Sequence, residues 1–150
     1  MKPFILALIF LTSSACASEL ITTQDLSRQS QIASSNNEII VLMLSLTGCP
    51  HCQLLRSDIL KPWALSGEYD TQVRFVETHI DSALLITDFS GNTIDADEFA
   101  KRYRARIAPI VLFLDSDGKQ LAEAIIGANN LDMYGYYLDE AIHLALKTIQ

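Results

Sequence analysis

A chain of 150 residues, 49% of them hydrophobic and 19% charged, is long enough for one domain around one core, and two domains are disfavoured. Its formal net charge of −7 at pH 7 excludes the broad basic surface that nucleic-acid binding requires. The sequence contains no internal repeat, collagen-like period or low-complexity tract, so repeat and fibrous architectures are excluded as well.

The first 17 residues have the pattern of a signal peptide. Lys2 precedes the apolar run 4–11, and Ala15-Cys16-Ala17 offers an Ala-x-Ala cleavage site. The apolar run is shorter than the roughly 20 residues of a membrane-spanning helix, which disfavours a permanent anchor. We expect removal of residues 1–17, a mature domain over residues 18–150, and export to the periplasm or another oxidising compartment. A lipid anchor at Cys16 is the weaker alternative, because residues 12–15 lack the usual aliphatic residue.

The first half of the mature chain predicts a helix, a buried strand and a second helix. Asp25 can cap a helix that ends near residues 36–37. The near-continuous apolar run 39–46 is typical of a central strand buried on both faces. The next helix begins after Cys49, and its apolar face is formed by Leu54, Leu55, Ile59 and Leu60. Lys61-Pro62 should end or kink that helix.

The second half predicts two further strand regions and two helices. Residues 73–78 alternate like a strand, and residues 88–93 look like a turn between two short extended pieces. Asp95 or Asp97 can cap a helix that ends in the Lys/Arg cluster 101–106, which we expect to be solvated. A hairpin over residues 110–126 and a closing helix from Leu131 to Ile149 complete the chain. This order predicts an α/β fold with a mixed central sheet and helices on both faces.

The most informative motif is Cys49-Pro50-His51-Cys52, which connects the apolar strand to the second helix. A helix N-terminus favours a thiolate through unpaired N–H groups and the helix dipole, and the thiolate is the form that attacks disulfides. Pro50 suits the first turn because its missing N–H is not needed there. A protonated His51 would place a positive charge beside the sulfur. Removal of Cys16 would leave one possible pair, which favours a redox pair over a structural framework.

With this motif, three further segments make the chain resemble the thioredoxin-like superfamily over nearly all of the mature protein. They are the strand 73–81, Ala108-Pro109 before the hairpin and Gly127-Ala128 after it. The resemblance implies a thioredoxin-like fold with a cis Pro109 packed beside the disulfide. It also implies that Ala108 offers its backbone to an extended substrate segment. Without the other matches, a trans proline that begins an edge strand would be the favoured interpretation of Pro109, because only about 5–6% of X–Pro bonds are cis.

Two details of the resemblance imply opposite directions of electron flow. The segment 82–95, including Asp88-Phe89-Ser90-Gly91, is similar to that of exported thioredoxin-related proteins of the SoxW type, most of which have reducing roles. The 60 positions from Cys49 to Pro109 are too few for the helical insertion of DsbA-type oxidases. Pro50-His51, however, is the dipeptide of those oxidants, and stabilising the reduced form makes an oxidant. We expect a thiol:disulfide oxidoreductase that acts as a reductase, with disulfide donation as the alternative.

The resemblance also implies a division of labour. Cys49 attacks to form a mixed disulfide, and the deeper Cys52 resolves it. Relatives keep an acid beneath the motif at the position of Met43, so Glu77 on the next strand is the best substitute to remove the proton from Cys52. A solvated acid at the end of the strand is the alternative interpretation of Glu77. We expect no cofactor beyond the cysteine pair, protein thiol or disulfide substrates, a redox partner protein, and a monomer.

A metal-binding module is the rival class. Cys49 and Cys52 could supply two thiolates to zinc or Cu(I), but zinc prefers four ligands and no second Cys-x-x-Cys is present. His79 would have to fold toward the pair, and we expect His79 and His143 to be surface or packing residues, so no metal site is predicted. Trp63 should pack at the core or its edge. The tyrosines 134, 136 and 137 either form a partner-facing patch or pack against the sheet.

Overall fold

The computed structural model describes residues 19–149. The predicted signal peptide, residues 1–17, with Cys16, lies outside the described residues. Between residues 19 and 149, no helix has both the length and the apolar character needed to cross a membrane.

Seven strands and five α-helices make up the described chain. The strands are β1 (Ile21–Thr22), β2 (Ile39–Ser45), β3 (Val73–His79), β4 (Leu85–Thr87), β5 (Thr93–Asp95), β6 (Ile110–Leu114) and β7 (Gln120–Ile126). The helices are α1 (Leu26–Asn36), α2 (Pro50–Leu54), α3 (Lys61–Leu65), α4 (Ala96–Arg102) and α5 (Tyr134–Thr148). A π-helical segment, Leu55–Leu60, joins α2 to α3, and a 3₁₀ turn, Leu131–Met133, precedes α5.

Five strands form one mixed sheet in the order β1-β3-β2-β6-β7, and β4 and β5 form a separate hairpin. β1 and β2 run parallel to β3, whereas β6 runs antiparallel to both β2 and β7. All seven residues of β2 are buried, as the continuous apolar run predicts for a central strand covered on both faces.

Alternation along β2 divides the interior into two cores. On one face, Val41 and Met43 pack with the π-helical segment and with α5. On the other face, Ile40, Leu42 and Leu44 pack with α1 and α4. This arrangement confirms the prediction of a mixed sheet with helices on both faces.

Local signals place the surrounding elements. Asp25 Oδ1 accepts a hydrogen bond from the Arg28 amide at 3.1 Å and caps α1, as predicted. The turn between β4 and β5 is held by Asp88, whose Oδ1 accepts from the amides of Ser90 at 3.0 Å and Asn92 at 2.9 Å. Asp95 is the N-cap residue of α4, although its side chain makes no capping hydrogen bond.

The helix that follows Cys49 differs from its prediction in two ways. It does not end at Lys61-Pro62 but continues to Leu65, because the π-helical bonding in front, in which the Lys61 amide donates to the Arg56 carbonyl, accommodates the proline. Leu54 is 45% exposed and does not join the apolar face, whereas Leu55 and Leu60 are buried. The extra residue in the π-helical turn shifts the positions that face the sheet.

Candidate active site

The two cysteines of the Cys-x-x-Cys motif sit at the N-terminus of α2. Cys49 is the N-cap residue with an extended backbone, and its Sγ accepts a hydrogen bond from the Cys52 amide at 3.2 Å. Pro50 occupies the first helical turn, where it removes no intrahelical hydrogen bond. Cys49 and Cys52 form a disulfide with a Cα–Cα distance of 5.3 Å.

Exposure differs between the two sulfur-bearing residues. Cys49 is partly exposed, whereas Cys52 is completely buried. His51 lies between them and is exposed on the first turn of α2. Because only Cys49 can be reached from solvent, it is the residue that an incoming sulfur would meet first.

The loop that delivers Cys49 is fixed by the end of β3. The Thr47 amide donates to both carboxylate oxygens of Asp81 at 3.1 Å, and the Thr47 hydroxyl donates to Asp81 Oδ2 at 3.0 Å. The Ile80 amide donates to the Ser45 carbonyl at 2.8 Å. Sequence reasoning included Asp81 in the strand but missed this anchoring role, for which only its place at the end of a buried strand gave a signal.

Glu77 lies fully buried on β3 in register with Met43, the position at which relatives keep their acid. Arg56 Nε donates to Glu77 Oε2 at 2.6 Å, and Arg56 Nη2 donates to Glu77 Oε1. The Thr22 hydroxyl donates to Oε2 at 3.3 Å. The interpretation of Glu77 as a solvated acid is therefore wrong, because the helix covers the end of β3.

Electrostatics keep the Glu77 carboxyl ionised. Burial on its own raises the pKa of Glu77, but hydrogen bonds from Arg56 and Ser45 and the positive charge of Arg56 lower it by more, so the net pKa lies below its ordinary value. Arg56 follows Cys52 by one helical turn, so both project from the same side of the helical segment. Sequence reasoning missed Arg56, because a lone arginine four residues after a cysteine resembles a solvated helical side chain.

The loop before β6 lies at the same end of the sheet as Cys49. β6 is antiparallel to β2, and Ile110 pairs with Leu44 near the end of β2, which places Pro109 beside the start of the Cys49 loop. The Ala108–Pro109 peptide bond is cis, and Pro109 is buried. The Pro109 carbonyl accepts from the Gly127 amide at 2.8 Å, and Gly127 adopts the left-handed φ of 77°. Within residues 19–149 the Ala108 backbone makes no hydrogen bond.

Exposed apolar side chains surround this end of the sheet. Ile107 is 57% exposed beside Ala108, and Ile126 is 63% exposed where β7 ends opposite Ile110. Leu46 is exposed in the loop before Cys49. Ile107 and Ile126 adjoin Ala108 and Gly127, and Leu46 precedes Cys49 by three positions, which is the sequence signal that could have singled out these exposed apolar side chains.

The remaining candidates contact other parts of the fold. His79 Nδ1 is 3.3 Å from the Ser45 hydroxyl, and His143 lies on α5 with Nδ1 3.6 Å from an Asp139 oxygen. Trp63 is partly buried and stacks on Tyr69 with a centroid distance of 5.9 Å. Of the three tyrosines predicted to form a partner-facing patch or to pack against the sheet, Tyr134 is buried, whereas Tyr136 and Tyr137 are exposed. Across the described residues, no three His, Cys, Asp or Glu side chains are grouped so as to hold a metal ion.

Comparison with known proteins identifies the relatives of this arrangement. A family described as a thioredoxin-like domain matches residues 26–142, which is more than half of the chain. A search of curated proteins found no match. Solved thioredoxins share the fold at low identity. The short form of thioredoxin f from spinach chloroplast is 18% identical with a TM-score of 0.60, covering 89% of this chain and 98% of its own.

Two further solved structures agree. Thioredoxin NaTrxh from Nicotiana alata is 20% identical with a TM-score of 0.55, covering 86% of this chain and 98% of its own. The thioredoxin of Fasciola hepatica is 20% identical with a TM-score of 0.53, covering 83% of this chain and 97% of its own. With the family match, the disulfide at the N-terminus of α2 and the mixed sheet beneath it, the chain belongs to the thioredoxin-like domain family.

Proposed function

We propose that this protein is an exported thiol:disulfide oxidoreductase that acts as a reductase through Cys49 and Cys52. The observation that carries the proposal is the asymmetry of the pair, in which a partly exposed Cys49 caps the helix above a completely buried Cys52. The helix N-terminus stabilises a thiolate at Cys49, and burial protects Cys52 from external reagents. Export is supported by the signal-peptide pattern of residues 1–17.

The reaction proceeds through one mixed disulfide. The Cys49 thiolate attacks one sulfur of the substrate disulfide, and a Cys49–substrate bond forms while the substrate S–S bond breaks. The first substrate thiolate leaves and takes up a proton. Cys52 then loses its proton and attacks Cys49 Sγ, so that the Cys49–Cys52 bond forms and the second substrate thiolate leaves. The substrate gains two electrons and two protons in total. A redox partner protein must then supply two electrons, with two protons, to reduce the Cys49–Cys52 disulfide again.

Substrate binding uses the Ala108–Pro109 loop. The free Ala108 amide and carbonyl can pair with an extended polypeptide segment in the manner of an added strand. The exposed side chains of Leu46, Ile107 and Ile126 offer apolar contacts on either side of that segment. The chemistry needs no cofactor beyond the cysteine pair. A monomer is sufficient, because the residues assigned to the reaction belong to one chain.

Cysteine variants test the assigned roles. Cys52→Ser should accumulate mixed disulfides between Cys49 and protein substrates, because the attacking thiol is kept and the resolving thiol is lost. Cys49→Ser should lose all exchange activity. Non-reducing gels and mass spectrometry of the trapped species provide the measurement. Turnover by Cys49→Ser, together with no trapping by Cys52→Ser, would show that the two roles are wrongly assigned.

The direction of electron flow is tested by the reduction potential, measured by equilibration with glutathione buffers. We expect a value nearer to about −270 mV, typical of a reductant, than to about −120 mV, typical of DsbA-like donors. A value near the upper end would favour disulfide donation, which Pro50-His51 supports. Failure of the pair to form any disulfide in solution would exclude both directions and favour Cu(I) or zinc binding by the two thiolates.

A further inference from the structure

A strongly basic segment leads into the substrate loop of this acidic protein. Lys101, Arg102, Arg104 and Arg106 are four of only eleven Lys and Arg residues in a chain of net charge −7. The sequence predicts no more than a solvated helix end for this cluster. Only the first two of these residues belong to α4, which ends at Arg102, so the helix end does not account for the other two.

Three of the four cations have no counter-charge. Arg102 is paired, with Nη1 2.7 Å from Asp88 Oδ2 and Nη2 2.9 Å from Glu98 Oε1. Lys101, Arg104 and Arg106 are exposed, and none of them forms an ion pair within the part of the chain that the structure describes.

Two acids near this segment are held by other partners. Asp88 is occupied by Arg102 and by the amides of its own turn. Asp115, whose charge acts on Tyr103, accepts hydrogen bonds from the amides of Asp117 at 3.0 Å and Lys119 at 2.8 Å. Neither of these two acids forms an ion pair with Lys101, Arg104 or Arg106, and exposed Asp97, one helical turn before Lys101, forms none with it among the described residues. The three cationic groups are therefore free to contact a ligand.

The backbone presents these charges in a fixed orientation. Tyr103 and Ala105 are partly buried and pack against the core beneath α4, and the Tyr103 hydroxyl donates to the Gly118 carbonyl at 2.8 Å. The Arg104 amide donates to the Lys101 carbonyl at 3.0 Å, and Arg104 adopts a left-handed φ of 54°. Partly buried Tyr103 and Ala105 thus alternate with exposed Arg104 and Arg106, so the backbone that carries the two arginines is already ordered.

This outward face continues directly into the substrate loop. Arg106 precedes Ala108 by two residues, so their Cα atoms lie within about 7 Å of each other. Exposed Ile107 lies between them. A polypeptide that pairs with the Ala108 backbone therefore passes within reach of the Arg106 side chain.

We propose that Lys101, Arg104 and Arg106 form a docking strip for acidic polypeptide substrates, which carry Asp or Glu residues near the reactive cysteine. The inference rests on the proposed function and specifies its substrate class. Charge complementarity selects the occupant, since the strip is positive while the chain as a whole is negative. Attraction between exposed charges speeds encounter and weakens as salt shortens the Debye length.

The test compares three peptides that differ only in the residues flanking one cysteine, which are Glu, Gln or Lys, each supplied as a mixed disulfide with 2-mercaptoethanol. The reduced wild-type protein should reduce the Glu peptide with a kcat/KM at least about threefold above that of the Lys peptide at low salt. The preference should shrink at high salt. The double variant Arg104→Glu with Arg106→Glu should invert it, an outcome that partial misfolding cannot produce because misfolding slows every peptide.

Lys61→Glu with Lys147→Glu is the matched control, since both lysines are exposed on helices packed against the opposite face of the sheet. This control should keep the wild-type order of peptides. Two outcomes would contradict the docking strip and leave the proposed function standing. One is equal wild-type rates for the Glu and Lys peptides, and the other is a double variant that slows both peptides by the same factor. Failure of the wild-type protein to reduce even bis(2-hydroxyethyl) disulfide, which is uncharged, would overturn the proposed function and the docking strip together.

Discussion

Glu77 is a buried acid that is paired with one cation, Arg56. Its carboxylate is fully buried on β3, and two guanidinium nitrogens of Arg56 hold it. A lowered pKa makes Glu77 a weak proton acceptor that stays ionised throughout the neutral range. We therefore propose that Glu77 assists removal of the Cys52 proton through water, while Arg56 holds the carboxylate in place.

Glu77→Gln should slow resolution of the mixed disulfide at least about tenfold while leaving the reduction potential nearly unchanged. The reason is that the glutamine keeps the shape of the side chain but removes the charge and the basic oxygen. Stopped-flow release of the second substrate thiol measures the resolution step. An unchanged rate would reduce Glu77 to a structural partner of Arg56.

Arg56→Gln tests how much the Glu77–Arg56 ion pair contributes to the stability of the fold. It leaves a buried carboxylate without its cation, which should lower the free energy of unfolding by about 3 kcal/mol at pH 7. The loss should shrink as the pH falls, because burial without Arg56 raises the pKa of Glu77 and the neutral form then becomes accessible. Combining Arg56→Gln with Glu77→Gln should restore part of the stability, and Arg74→Gln, which breaks the separate pair with Glu38, serves as the control.

At the scale of elements, the sequence predicted those features that depend on local pattern. The apolar run of β2, the Asp25 cap and the turn at Asp88 follow from neighbouring residues, and the structure places each of them as predicted. Lys61-Pro62 was predicted to end or kink the helix after Cys49, and the helix does not end there, because hydrophobic spacing assumes a constant helical period. The π-helical segment Leu55–Leu60 changes that period and carries the chain through Pro62.

In the candidate site, too, the sequence identified residues that belong to local motifs and missed partners that are distant in the chain. Cys49 and Cys52 were identified from their spacing between an apolar strand and a helix, and Ala108-Pro109 from resemblance. The partners of Glu77 and Thr47 could not be identified, since Arg56 and Asp81 are separated from them by 21 and 34 positions. Such pairs form only when the β2–β3 register brings Met43 opposite Glu77 and Ser45 opposite His79.

At the scale of the whole molecule, three carboxyl groups link folding to pH. The Arg28 amide lowers the pKa of Asp25, and Arg56 outweighs burial to lower that of Glu77. Burial raises the pKa of Asp88, but hydrogen bonds from Arg102 and the turn amides lower it by more than burial raises it. The net pKa of Asp88 therefore also lies below the ordinary value. The stability that these groups contribute is fully present above about pH 4, where unfolded carboxyls ionise, and is lost as the pH falls through their lower folded-state pKa values.

Asp88→Asn tests this linkage away from the cysteine pair. Asp88 is buried at the turn between β4 and β5 and joins that turn to α4 through Arg102, so the variant should lower the free energy of unfolding by about 1 kcal/mol at pH 7. The difference from wild type should narrow at pH 3, because the unfolded wild-type chain takes up a proton at Asp88 below about pH 4, which favours unfolding of the wild type but not of the variant. The control is Asp97→Asn, at an exposed position in the first turn of α4, and it should leave the free energy of unfolding nearly unchanged at both pH 7 and pH 3. Urea unfolding at both pH values measures the difference, and a penalty for Asp88→Asn that is the same at pH 3 and pH 7 would show that the turn depends on its shape and not on the charge of Asp88.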